Sequence, residues 1–97
     1  MAYEGTVSVY VPVAHSATPD RALAARPGSL AGLRPGILEN RKANARLLLE
    51  TLVAGLGERV ELRAPVVRSK NAAVPAARSL LDQLAGEVDF AVVGSCD

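Results

Sequence analysis

Strict alternation opens the chain. In residues 6–13, TVSVYVPV, the side chains of Val7, Val9, Val11 and Val13 recur at every second position, the period of a half-buried β-strand. Pro12 has no N–H to give to a ladder, which predicts an edge position for that strand. The pattern is then lost over residues 15–35, HSATPDRALAARPGSLAGLRP, whose small and polar side chains and repeated Pro and Gly predict a long irregular arm with one turn of helix at most. A connection of that length in a small domain is usually functional or an interaction arm.

Periodicity returns at residue 36. The run GILE, residues 36–39, predicts a short strand, and Asn40 is a suitable N-cap for the helix that follows. In that helix Leu49, Leu52, Val53 and Leu56 fall at i, i+3, i+4 and i+7, and Gly57 is the expected stop. Residues 60–67, VELRAPVV, set Val60, Leu62 and Ala64 against Glu61 and Arg63 and predict a second strand, with Pro65 again arguing for an edge. After the polar loop RSKN, residues 68–71, Pro75 suits the first turn of a second helix whose Ala77, Leu80, Leu81 and Leu84 share a stripe ending near Gly86. Residues 89–93, DFAVV, predict the last strand.

This strand, helix, strand, helix, strand order predicts an α/β fold of Rossmann-like βαβαβ type, with a mostly parallel sheet of three or four strands. Residues 1–35 form the N-terminal strand and arm, and residues 36–97 the βαβαβ unit of what is a single domain. The run FAVV is apolar at every position, as in a strand covered on both faces, yet no helix pattern follows it within the 97 residues. The domain is therefore expected to be incomplete without a complementary chain or C-terminal half, marginally stable alone and prone to associate.

Composition narrows the function. Apolar residues make up 49% and aromatic residues 3%, so the core must be built from Val, Leu, Ala and a little Ile. A net charge of +1 supplies no electrostatic case for nucleic acid or an anionic membrane. No apolar run approaches the roughly 20 residues that span a bilayer, and the N-terminus lacks the layout of a secretory signal, so a cytoplasmic address is expected. One cysteine, Cys96, leaves no internal disulfide framework, and with a lone His15 no metal site is expected from this chain.

Ligands of open parallel sheets bind outside the carboxyl ends of the strands, where loops and helix N-termini converge. Three segments fall there: Asn40, Lys42 and Asn44; Arg68, Ser69, Lys70 and Asn71; and Gly94, Ser95, Cys96 and Asp97. Their short or cationic side chains suit a small anionic molecule such as a carboxylate. Plainer roles stand beside this one: Asn40 as a cap, Lys42 as a solvated first-turn lysine, the RSKN segment as an ordinary loop, His15 as an exposed side chain. Cys96 follows a strand and a glycine, in a turn whose backbone N–H groups can depress a thiol pKa, but a single cysteine is also commonly a small buried hydrophobe.

The segments LAARPGSLAGLRPGILENRKANARLLLETLVAGL, VRSKNAAVPA and DFAVVGSCD, in this order and at these distances, resemble the N-terminal half of the UGSC family of proteins and selenoproteins. The resemblance runs over about residues 23–97, and the spacing of Asn40, Lys42 and Asn44 with the terminal Gly94 and Asp97 is its most specific part. In that family a selenocysteine or cysteine followed by Gly-Ser-Cys comes directly after the aspartate matched by Asp97. Cys96 lies one residue before the aspartate and is not equivalent to that redox residue. An end at Asp97 fits a selenocysteine codon read as stop, a remainder supplied as a second chain or cut away, or a free-standing remnant that binds without catalysing.

The resemblance implies a thiol- or selenol-dependent redox enzyme, with Asn40, Lys42, Asn44, Ser69 and Lys70 orienting an anionic substrate. The turn from Gly94 through Ser95 to Asp97 would position the nucleophile, and Asp97 would orient a proton donor. No cofactor is expected. A non-catalytic binding or regulatory subunit that completes a partner's α/β domain is the alternative, and a hydrolase or transferase using Cys96 itself as nucleophile is a third.

Overall fold

A computed structural model of the chain describes residues 5–14 and 22–95. Five elements follow one another: β1 (Pro35–Glu39), α1 (Ala45–Arg59), β2 (Val66–Ser69), α2 (Arg78–Glu87) and β3 (Phe90–Gly94). The three strands form one open, all-parallel sheet in the order β2-β1-β3. The protein is therefore of the α/β class, with its first strand in the centre.

Every residue of β1 is buried, and Ile37 is fully so. The register, Ile37 beside Val67 and Val92, puts these three on one face, where Leu49 and Val53 of α1 and the flanking Leu62 close over them. Burying a side chain of this size contributes about 1.5–3 kcal/mol. Gly36 and Leu38 face the other way. A Cβ on Gly36 would stand 3.0 Å from Val88 Cγ2 and 3.4 Å from Leu84 Cδ1, so glycine lets the segment at the end of α2 lie directly on the central strand. An ion pair at 2.8 Å between Arg68 and Glu87 fastens α2 to β2 on this side, and its half-exposed setting makes it worth little by itself.

At the amino end of the sheet, Arg34 and Asp89 exchange hydrogen bonds. The Arg34 N–H donates to Asp89 Oδ2 at 2.8 Å, and the Asp89 N–H donates to the Arg34 carbonyl at 2.9 Å. The Arg34 guanidinium also donates to the Ala64 carbonyl at 2.8 Å, so one residue ties the starts of all three strands together.

Several expected boundaries move. The first predicted strand, residues 6–13, is neither strand nor helix and lies exposed, because alternation prepares a strand face but a ladder requires a neighbouring backbone. The sheet has three strands for that reason. The strand expected at 60–67 pairs with β1 only over Val66–Ser69: Pro65 has no N–H to donate, and residues 61–63 are held instead by two hydrogen bonds to Gly32 and Leu33. Arg68 and Ser69 thus belong to a strand and not to the RSKN loop.

Helix α1 runs past Gly57 to Arg59 and ends where Val60 turns to extended backbone. Its buried face is Ala45, Leu49 and Val53, a narrower stripe than expected, because α1 covers only part of a three-stranded sheet and leaves Leu52 half exposed. Helix α2 begins at Arg78, three residues after Pro75. Strand β3 is the second edge of the sheet: its alternate residues Ala91 and Val93 stay exposed, so the apolar run FAVV is covered on one face only. No helix among the described residues is long and apolar enough to cross a membrane.

The close approach at Gly36 gives a direct test. Gly36→Val should cost about 1–3 kcal/mol in urea unfolding, because the added methyl groups must displace Val88 and Leu84. Gly28→Ala, where a Cβ meets nothing within 4 Å, should change stability by a few tenths of that.

Candidate active site at the carboxyl edge of the sheet

The carboxyl ends of the three strands are joined by backbone bonds that continue past the ladder. The Glu39 carbonyl accepts from the Lys70 N–H at 2.9 Å on the β2 side, and the Asn40 N–H donates to the Gly94 carbonyl at 3.1 Å on the β3 side. Asn40 then uses its whole carboxamide on one residue. Oδ1 accepts from the Ser95 N–H at 3.1 Å and Nδ2 donates to the Ser95 carbonyl. At 8% exposure this side chain cannot rely on water, so the paired bonds fix the chain as it leaves β3.

This corrects the expectation that Asn40 caps α1. The N-cap is Asn44, whose φ of 63° lies in the left-handed region and whose side chain makes no capping bond. Asn40 is unavailable for capping because the chain needs residues 41–44 to turn from the sheet on to the helix path, and its carboxamide is drawn across to β3. Arg41, with φ 60°, shares the left-handed conformation, which is uncommon outside glycine and asparagine. The Arg41 N–H donates to Glu39 Oε2 at 2.6 Å, and this bond holds the turn in place.

Glu39 is the residue that sequence reasoning missed. Its side chain is 5% exposed and accepts a hydrogen bond from the Ser69 hydroxyl on Oε1 as well as the Arg41 N–H on Oε2. The Ser69 bond first, and then the Arg41 bond, lower its pKa below the ordinary carboxylate value; burial opposes them, and the charges of Arg46 and Arg41 add smaller lowering contributions. The rim is therefore not purely cationic: a carboxylate sits beneath it. The available signal was an acidic residue ending an apolar central strand, in GILE, where a solvated charge would not be expected.

Beside the Asn40 and Ser95 pair opens a cavity of about 330 Å³, lined among others by Lys70, Ala72, Val74, Pro75 and Val93. Most of its wall is apolar, and its polar groups come from Asn40, Lys70 and Ser95. Lys70 Nζ donates to the Asn71 carbonyl at 2.7 Å, and the Asn71 carboxamide accepts from the Ala73 N–H at 2.7 Å, which shapes the 70–75 loop into one wall. A small molecule with one anionic end and a short apolar body fits the chemistry of this lining.

Of the residues singled out in the sequence, Asn40, Lys70, Gly94 and Ser95 meet at this cavity. Ser69 is turned to Glu39, and Lys42 and Asn44 belong to the 41–44 turn and are not among the residues that line this cavity. Cys96, Asp97 and His15 lie outside the described residues. Among the described residues no three His, Cys, Asp or Glu side chains gather in a way that could hold a metal ion.

An open, all-parallel α/β sheet with a small, mostly apolar cleft at the carboxyl edge of its central strand is the class of protein that the fold and geometry define. The chain belongs to the UGSC family, whose model matches residues 8–97, a span that also takes in most of the valine-rich arm. No curated protein and no solved structure matches it.

Two outcomes follow from the site. Because the folded Glu39 carboxyl has a lowered pKa, the unfolded chain binds its proton more readily; the stabilisation is present above the unfolded pKa and is lost as pH falls from there through the lowered folded pKa. Chemical denaturation between pH 3 and 7 should show a steeper loss for the wild type than for Glu39→Gln. Asn40→Ala should cost about 1–3 kcal/mol, since it takes both partners from the part-buried Ser95 peptide, and amide exchange at Ser95 should accelerate in step.

Proposed function

We propose that this chain is the N-terminal part, or a subunit, of a thiol- or selenol-dependent redox enzyme that acts on a small anionic molecule. The observation that carries the reading is the Asn40 carboxamide clamped on Ser95 in the lining of a cavity to which Lys70 also contributes. In this reading the sheet is the first half of a Rossmann-like fold with its ligand at the switch point, since β2 and β3 flank β1 on opposite sides. Membership of the UGSC family supplies the chemistry: the selenocysteine or cysteine that the resemblance puts directly after Asp97, with a cysteine three positions on.

The reaction proposed is a two-electron reduction. A selenolate or thiolate attacks an electrophilic atom of the substrate and bonds to it as that atom's bond to a leaving group breaks; the leaving group departs with the electron pair and takes up a proton, while the rim holds the anionic end. The second thiolate then attacks the first chalcogen, releasing the reduced substrate and leaving a selenenylsulfide or disulfide, and an external dithiol returns the pair to its reduced state. Lys70 binds the anion, Asn40 and Gly94 set the exit of the chain from β3, Ser95 lines the mouth, and Asp97 orients the proton donor for the leaving group. Ser69, Lys42 and Asn44 shape the rim from behind.

A second reading, a binding or regulatory subunit without chemistry, is favoured by one feature. Glu39, the described carboxylate at the rim, is already occupied by Ser69 and the Arg41 N–H and is not free to act as a base. The two readings separate experimentally. Titrating the full chain with lactate should shift the amide resonances of Lys70, Ala73 and Ser95, and Lys70→Gln should weaken the effect at least tenfold; absence of shifts at tens of millimolar removes the anion site from both. An in-frame TGA followed by Gly-Ser-Cys codons after codon 97 supports the enzyme. An ordinary stop there, together with a Cys96 thiol that alkylates no faster than a free cysteine near neutral pH, leaves the binding reading.

A further inference from the structure

The two edges of the sheet are built differently. β2 carries Arg68 and is preceded by Pro65, both common means of blunting an edge. β3, FAVVG, has no charge, no proline and no bulge. Since the Gly94 carbonyl points at Asn40 on the β1 side, the alternation of a parallel ladder turns the N–H and C=O groups of Ala91 and Val93 to the open side. Val93 is 58% exposed, and beside it an apolar hollow of about 340 Å³ is lined by Leu38, Leu81, Leu84, Val88 and Ala91. This edge offers both unpaired backbone and an uncovered apolar face.

The same chain holds a segment that lacks what this edge supplies. Residues 6–13 alternate Val7, Val9, Val11 and Val13 with Thr6, Ser8, Tyr10 and Pro12. All four valines are exposed, Val9 to 76%, and the segment's one backbone bond within itself joins the Val13 N–H to the Val11 carbonyl at 2.8 Å. Pro12 can sit only where its missing N–H faces away from a ladder, as in an outermost strand. Every residue of 5–14 is exposed, so the segment does not pack on the sheet of its own protomer.

We infer that residues 6–13 of one copy add as a fourth strand to the β3 edge of a second copy, and that the exchange is reciprocal. The valines then extend the apolar face of Leu38, Ala91 and Val93 over the hollow beside α2, while the arm's backbone takes up the free groups of Ala91 and Val93. Strand addition of this kind draws affinity from main-chain bonds and specificity from alternate side chains. The reciprocal exchange gives a two-fold dimer in which each arm and each edge is used once. The inference does not rest on the redox chemistry, and it has one rival at the same edge: the C-terminal half or complementary chain of that reading, which would continue the sheet from β3 and protect Ala91 and Val93 without any dimer.

The test uses the full chain and two measurements. Sedimentation velocity from 1 to 300 μM should show a monomer–dimer equilibrium, and hydrogen exchange at the high end should slow at least tenfold at the Ala91 and Val93 amides. The pair Val9→Asp and Val11→Asp, in a segment that does not pack on the domain, should weaken the dimer at least tenfold and restore fast exchange at both amides, with an unchanged circular dichroism spectrum. A dimer that survives this double substitution, a monomer with fast exchange at 300 μM, or a monomer whose Ala91 and Val93 are protected at every concentration, as when its own arm or another segment covers the edge, would each overturn it.

Discussion

The arrangement hangs on the backbone of β1 being hydrogen-bonded on both sides and then going on bonding after the strand has ended. Glu39 and Asn40 lie where the ladder would normally fray, yet one gives its carbonyl to Lys70 and the other its N–H to Gly94. With Pro35 through Asn40 all buried, water cannot replace these bonds, so each is held by the cost of leaving it unmade. The three chain exits are thereby fixed relative to one another, and the cleft is a consequence of that spacing.

Side chains then reinforce what the backbone has set. Asn40 copies the pairing of a peptide group and grips Ser95, while Glu39 gathers the Ser69 hydroxyl and the Arg41 N–H behind the rim. At the other end Arg34 does similar work with Asp89 and Ala64. Polar clamps at both ends are a natural solution for a sheet of three short strands. The apolar cluster about Ile37 is small, and by itself it would leave the strand ends poorly ordered.

The same smallness explains why so much apolar surface stays in water. One helix lies on each face, and neither can cover three strands, so Leu52, Leu81 and Val93 are left partly uncovered, as are the valines of the arm. Exposure of this kind on both a strand edge and an alternating segment is best understood as two halves of one contact. The cleft is reached from the end of the strands and the edge from their side, so ligand and partner need not compete.

Much of this could be read from the residues. The apolar periods in GILE, in the α1 and α2 stripes and in FAVV determined the number, type and order of the elements of the βαβαβ unit, because a buried face must repeat with the period of its own backbone. The parallel sheet followed from strands separated by helices, and the meeting of Asn40, Lys70 and Ser95 along one cavity was foreshadowed by their places after three successive strands. What the tertiary structure alone decided depended on partners distant in sequence. Asn40 left its role as a cap once Ser95 stood across from it, 55 residues away, and Glu39 became a buried acceptor once Ser69 was laid beside it. Val7 to Val13 kept the period of a strand without becoming one, since alternation prepares a face, and only a neighbouring backbone can turn that face into sheet.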